Sequence, residues 1–423
     1  MVGPRRRLAT LLLGCCLAAD VVAVSWAGAA AQGRGPSPVA TTATPAYAVP
    51  PGPTPLAPSA RGSSTTGGPV AGVPTTPTTA TTPTTPTTPT TASNSIAVSE
   101  SPRDRITLAF AGDVHFERQV RGLLDRPEPL TTAVRDTLGR ADFAMVNLET
   151  ALGTGGAPLP GKDFTFRAPV TSLATLAGAG VDAVSMANNH AADFGDAVFA
   201  QTLAARRGAP IPVVGIGRDE AEAFTPLRID VHGVSVAVLA SSQIRDVTSK
   251  EHAARPGSPG IATNLDPGPL RRAVRAAAAT SDVVVVMLHW GAQYTSCADD
   301  LQRETARLLA ADGADVIVGG HAHRPQGSGW SGRSYVAYGL GNFVWYNNDG
   351  PAADTGVLTV SVDAAAARSR PHTRSVVSSA TWSPMVIGSD GVPRAAAPGA
   401  TRDRLLAGWD AATRCAGLTA RPG

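Results

Sequence analysis

The sequence predicts a layered α/β domain at the end of a long coreless arm, and three observations predict it. From Arg105 onward, apolar runs of strand length alternate with helix-length stretches, the pattern of a sheet covered by helices. Several of those runs end in short clusters of acids, amides and histidines. From Gly33 to about Glu100, Pro and Thr dominate, and apolar side chains are too sparse to build a core. Composition agrees: hydrophobic residues make up 43% of 423, enough for one large core or two smaller ones. The net charge of +3, from 36 Lys+Arg against 33 Asp+Glu, is small for a nucleic-acid binder. Mean hydropathy near zero excludes a polytopic membrane protein. Lys162 and Lys250 are the only lysines in an Arg-dominated chain, which reads as compositional bias.

Taken in order, the chain opens with Arg5, Arg6 and Arg7 ahead of the apolar run 8–13, and Ala-rich sequence at 27–31 offers small-residue cleavage sites. That is the layout of a secretory signal, so residues 1–32 read as an export leader. Three fates compete: plain cleavage and secretion, acylation at Cys15 in the lipobox-like Leu12-Leu13-Gly14-Cys15, and retention as an anchor interrupted by Asp20. The paired arginines also loosely resemble a twin-arginine signal. Residues 33–103 follow as a disordered Thr/Pro-rich linker, with near-perfect Pro-Thr-Thr triplets over 74–91. At ~3.1 Å per residue, such a stalk extends on the order of 200 Å, and its expected role is spacing.

The expected globular domain covers 104–386, with a C-terminal extension at 387–423 carrying a helix over 402–413, packed or loose. Strands are expected at 106–111, 143–146, 183–186, 213–215, 234–240, 283–288, 316–319, 335–338 and 357–362. Helices are expected at 131–138, 171–177, 197–206, 269–278 and 301–311. Residues 227–231 and 234–240 flank His232-Gly233 and read as a hairpin. Cys297 and Cys415 either pair, which implies an oxidising compartment, or remain two separate thiols.

The clusters at the strand ends carry the chemistry, as strand C-termini commonly do in α/β folds. They are Gly112-Asp113-Val114-His115, Asn147-Leu148-Glu149, Asn188-Asn189-His190, His289-Trp290-Gly291 and Gly320-His321-Ala322-His323. Asp113, His115, Glu149, Asn189, His289, His321 and His323 together supply carboxylate, amide and imidazole donors suited to zinc, manganese or iron. Strand alternation puts Asp113 with His115, and His321 with His323, on common faces. The remaining histidines, His232, His252 and His372, sit in turn-like or polar surroundings and read as surface residues. Arg167, in the Phe-Arg-Ala-Pro stretch, reads either as a clamp for a carboxylate or phosphate or as a surface arginine. Asn342, in Gly-Leu-Gly-Asn-Phe, either lines a substrate rim or belongs to a turn that needs no ligand. Trp290 reads as core. No Gly-x-Ser-x-Gly elbow and no phosphate loop are present.

The ordered series GDVHFE, VNLE, NNHAADFG, HWG, GGHAH and YGLGNFVW resembles the CapA family of poly-γ-glutamate capsule synthesis proteins, over about 106–362. That family lies in the calcineurin-like metallophosphatase superfamily, so the resemblance implies a four-layer αββα sandwich and a site for two divalent ions. By motif, one ion takes Asp113, His115 and His323, the other takes Asn189, His289 and His321, and Glu149 bridges them. His190 corresponds to the histidine that assists the leaving group, with Asp193 orienting it; the alternative for Asp193 is a helix N-terminal charge. Two departures stand out. The bridge is Glu149 where related phosphatases have Asp, and Gln293 replaces the capsule family's Glu after His-Trp-Gly.

The resemblance implies a surface-tethered protein in capsule or cell-envelope polymer synthesis, retention or attachment. Its partners would be an anionic envelope polymer or precursor and a membrane polymer-synthase complex, with the membrane reached through the leader or a lipid anchor. The alternatives are a secreted dimetal phosphoesterase unrelated to capsule and a scaffold that binds polymer without catalysis.

Overall fold

The computed structural model describes residues 95–98, 103–372 and 374–423. The leader expected at 1–32 and nearly all of the linker expected at 33–103 therefore lie outside the described residues. Within that linker range, Ser95–Val98 forms an edge strand parallel to Leu227–Val231, so this part of the expected stalk belongs to the folded unit.

The expected four-layer αββα sandwich is what the chain forms. One sheet runs in the order Pro393–Ala395, Val377–Ile387, Asp354–Asp363, Arg105–Val114, Phe143–Leu148, Ala183–Ser185, Val213–Val214, with Asn342–Val344 paired beside the end of Arg105–Val114. The other runs Ser95–Val98, Leu227–Val231, Val234–Ser242, Val283–His289, Val316–Gly320, Ser334–Ala337, Ser328–Ser331. The central strands of both sheets are parallel. Covered on both faces, such strands read as continuous apolar runs such as Val-Val-Val-Val-Met-Leu, with no polar alternation to mark a wet side.

Alternation sorts each strand between layers. Ile106, Leu108 and Phe110 meet Val236, Val238, Val283, Val285 and Met287 in the core between the sheets. Their neighbours Ala109 and Ala111 turn outward to Leu130, Val134, Leu173 and Phe199 of the helices Glu128–Arg135, Ser172–Gly178 and Gly195–Arg206. On the far side, Ala237, Val284 and Val286 pack on Leu270, Val274 and Leu309 of Pro267–Ala278 and Asp300–Asp312. The hairpin at His232-Gly233 forms as expected, with both residues left-handed (φ 50° and 78°), the requirement of a tight two-residue turn.

The division expected at residue 386 falls inside Val377–Ile387. That strand escaped sequence reading because its Ser, Thr and Pro break the apolar pattern. Beyond it, Ala400–Cys415 drives Leu405 and Trp409 into the core between the sheets, where Trp409 stacks on Trp382 at 4.5 Å. Cys415 closes a disulfide to Cys297, with Cα atoms 5.6 Å apart. The expected extension is thus a packed and cross-linked part of the domain. Among the described residues, no helix is long and apolar enough to cross a membrane.

Two of the three histidines expected at the surface are buried. His232 contacts Asp142 at 3.0 Å, and His252 contacts Asp196 at 3.1 Å. The third, His372, is half-buried against Asp315. Each carboxylate comes from a distant part of the chain, which is why the local polarity misled.

Candidate metal centre

Parallel strands end at the same edge, and cross-strand register sets the site. Asp113 lies opposite Asn147, Asn147 opposite Ser185, and His289 opposite both Ser242 and Gly320. Two groups of ligand atoms result, one from Asp113, Glu149 and His323 and the other from Glu149, His289 and His321, each within 4.8 Å. Glu149 is common to both. Asn189 adjoins the second group through Oδ1, 2.8 Å from His289 Nε2.

The supporting contacts fix these donors. Asn147 donates to Asp113 Oδ1 at 2.8 Å, and the His321 backbone N–H donates to Asp113 Oδ2 at 3.1 Å. Asn188 donates to Asn147 Oδ1 and to the Leu148 carbonyl, tying the Asn188-Asn189-His190 turn to the Glu149 strand end. The two histidines of Gly320-His321-Ala322-His323 reach the site differently from the strand alternation expected. The strand stops at Gly320, and both residues take left-handed backbone (φ 83° and 53°), a costly conformation for a side-chain-bearing residue that concentrates at functional sites.

Glu149 is fully buried, and neither carboxylate oxygen has a hydrogen-bond partner among the described residues. Burial first, and the Asp113 charge second, push its carboxyl well above the usual range. An ionised carboxylate in that position is stable only beside a compensating cation. For Asp113, burial works upward, but contacts with His323 and Asn147 and the charge of His289 outweigh it and hold it at about 2. Burial lowers His289 to about 4 and holds His115, His190 and His321 well below the ordinary imidazole range, so these rings are neutral. For His323 burial works downward, but the Asp113 contact and the charges of Glu149 and Asp113 outweigh it and raise the ring, so a metal there takes the place of its proton. An orphaned carboxylate ringed by an Asp, an Asn and the imidazoles of His289, His321 and His323 fits a divalent metal, and the cluster is a metal-binding one.

His115 falls outside both groups. The Glu117 backbone N–H donates to its Nδ1 at 3.0 Å, and its ring lies between Phe166 (4.7 Å, stacked) and the Trp345 edge (4.0 Å). His190 stacks on the other face of Phe166 at 4.3 Å. Its Nδ1 is 2.6 Å from Asp193 Oδ2, and its Nε2 is 3.6 Å from Glu149 Oε1. Asp193 also accepts from the Phe166 backbone N–H at 2.7 Å and from Lys162. Burial raises Asp193 to about 7, against the pull of Lys162.

The two residues read either as substrate contacts or as structural groups have partners within the protein. Arg167 donates to the Gly155 carbonyl and lies over the Phe194 ring at 4.2 Å, which fixes its guanidinium against the protein's own loop. Asn342 is buried behind His323, with Oδ1 2.8 Å from His323 Nδ1 and Nδ2 donating to the Ala352 carbonyl. Trp290 is core, as expected, donating to the Tyr338 carbonyl at 2.7 Å, and Gln293 is exposed. Sequence reading missed Lys162, Phe166 and Trp345; the scarcity of lysine was the one available signal for the first.

Gly320 has no room for a side chain, since a Cβ there would stand 2.4 Å from Asp113 Oδ1. Gly320→Ala is therefore expected to displace that carboxylate and weaken metal binding at least about tenfold. Gly122→Ala, which meets nothing within 4 Å, serves as the control. Competition with a metallochromic chelator measures both, and equal affinities would contradict this geometry.

Residues 107–347 match the model of the bacterial capsule synthesis protein family PGA_cap. Among curated proteins, the chain is 28% identical to the "PGA biosynthesis protein CapA" of Bacillus subtilis, over 57% of this chain and 64% of that protein. It is 25% identical to the "Capsule biosynthesis protein CapA" of Bacillus anthracis, over 59% and 62%. It is also 27% identical to a "Probable polyglutamine synthesis accessory protein" of Mycobacterium tuberculosis, over 57% and 67%. The matched part is thus just under two thirds of the length of the two Bacillus relatives.

Proposed function

The chain belongs to the bacterial capsule synthesis protein family PGA_cap, and from that premise we propose that it is an exported accessory protein. It would act in the synthesis, retention or attachment of an anionic, poly-γ-glutamate-type envelope polymer through a dinuclear metal centre. The carrying observation is Glu149, shared by both donor groups and without a hydrogen-bond partner among the described residues. In this reading, Asp113 and His323, with Glu149, would hold one ion. Asn189, His289 and His321 would hold the other, with Glu149 the residue common to both groups. The metal is manganese, zinc or iron.

Bound ions would supply Lewis-acid polarisation of a phosphoryl or carbonyl oxygen. The protein's own part falls to His190 and Asp193. Asp193 fixes the imidazole through Nδ1 and turns the bare Nε2 toward Glu149, where it can take up a proton from a water at the site and hand it on to a departing group. Phe166 packs on the His190 ring and Trp345 on the His323 ring, walling that side of the site. Export is supported by the leader-like N-terminus and by the Cys297–Cys415 disulfide, which persists in oxidising compartments. The mycobacterial relative's name, a probable polyglutamine synthesis accessory protein, supports a polymer-synthesis complex as the partner.

The test is a deletion strain complemented with either the parent chain or Asp113→Ala. Surface γ-linked glutamate polymer is expected to fall on deletion and to return only with the parent. Unchanged polymer in the deletion strain would remove the capsule role, and full rescue by Asp113→Ala would separate that role from the metal.

A further inference from the structure

Lys162 is one of two lysines in the chain and the only one whose side chain enters the metal centre. Its neighbours Gly161, Asp163 and Phe164 are exposed, yet its own side chain is 6% exposed. The ammonium has three protons to place. They meet the Asn189 carbonyl, Asp193 Oδ1 and, at 3.1 Å, Thr248 Oγ1, while Asp246 Oδ2 stands 3.4 Å away. Thr248 Oγ1 in turn donates to the same Asn189 carbonyl at 2.7 Å.

These partners come from both halves of the sandwich. Asn189 and Asp193 follow the strand Ala183–Ser185 of one sheet, and Thr248 and Asp246 belong to the short helix Val247–Glu251 and its cap, after the strand Val234–Ser242 of the other. The residue Lys162 grips by its main chain is the one whose side-chain Oδ1 meets His289, and the carboxylate it grips is the one that holds His190. A buried ion pair is weak evidence of stabilisation, because desolvation offsets the attraction. A lysine drawn out of an exposed loop to make this contact therefore points to geometry as its purpose.

We propose that Lys162 is a positioning residue of the metal centre, clamping the Asn189 carbonyl, Asp193 and Thr248 so that the Asn189 side chain and the His190 ring hold their places across the two sheets. This rests on the metal-centre reading above, and its test separates the two. Lys162→Met keeps the length of the side chain and removes the charge. Full-length Lys162→Met and parent chains are compared by manganese and zinc affinity, by denaturant unfolding and by the ¹⁵N shifts of the His190 ring.

The expected result is metal binding weakened about 10–100-fold, the scale for losing a group that orients a ligand. With it, the His190 ring should shift from one tautomer, protonated at Nδ1, to a mixture. A variant that loses stability but keeps both the parent's affinity and the parent's ring shifts would make Lys162 structural only and overturn the proposal. A parent that binds no metal would sink the metal-centre reading alone, and the His190 shifts would still decide for or against Lys162. Should Lys162→Met not fold, Thr248→Val removes one arm of the clamp at constant shape; several-fold weaker binding is expected, and unchanged affinity together with unchanged His190 shifts would overturn the clamp.

Discussion

Glu149→Gln is expected to weaken divalent-metal binding by more than the roughly 10–100-fold lost with a group that merely supports a ligand, and at the same time to raise the melting temperature of the metal-stripped protein. The two effects have one cause. Glu149 is buried beside Asp113 without a hydrogen-bond donor to either oxygen among the described residues, so its ionised form is penalised until a cation arrives. Gln keeps the shape and removes the charge, and with it both the penalty and the ligand. The pH dependence has a definite sign. Because the folded-state value is raised, the unfolded chain ionises Glu149 from about pH 4.3 upward while the fold resists. The metal-free parent should therefore fall further below Glu149→Gln as pH rises from there toward the raised value, and the two should converge in acid. Calorimetry of both proteins after chelation reads this directly. A metal-free Glu149→Gln that melts below the parent, or one that binds metal as the parent does, would mean that the carboxylate has an ordinary structural partner.

The second large effect concerns the C-terminal helix. The Cys297–Cys415 bond joins residues 118 apart, and the chain-entropy model assigns roughly 4–5 kcal/mol to a closure of that length. The effect should extend beyond stability, because Cys297 lies on the segment that carries Tyr294. The Tyr294 N–H donates to the Ala322 carbonyl at 2.7 Å, between the two site histidines. Cys297→Ser/Cys415→Ser is thus expected to unfold at markedly lower denaturant and to release bound metal faster on challenge with a chelator. An unfolding midpoint equal to the parent's would show that the packing of Leu405 and Trp409 holds the helix without the bond.

Much of this was legible in the residues because burial on both faces leaves an unmistakable trace. The runs at 283–288 and 316–320 carry no polar side chain, and the polar residues that interrupt such runs fall where the strands end. Glu149 followed from the same logic, standing one residue past its strand. What escaped depended on contacts between distant segments. Strand periodicity gives no hint that His321 and His323 take left-handed backbone, or that His115 turns into an aromatic box built from Phe166 and Trp345. Arg167 and Asn342 were assigned by residue type, and their partners, Phe194 and His323, are visible only in the fold. Lys162 sits in a polar loop that has no periodicity at all, and its importance appears only when four separate partners converge on one nitrogen.

The most direct test of the central claim is the metal content per chain of the purified full-length protein by plasma mass spectrometry, beside Asp113→Ala and His289→Ala. The account predicts about two divalent ions per parent chain, as in other two-metal sites, and a reduced content in each variant, since each removes a donor from a different group. A parent free of metal after incubation with manganese, zinc or iron would contradict it, as would variants that retain the parent's full complement.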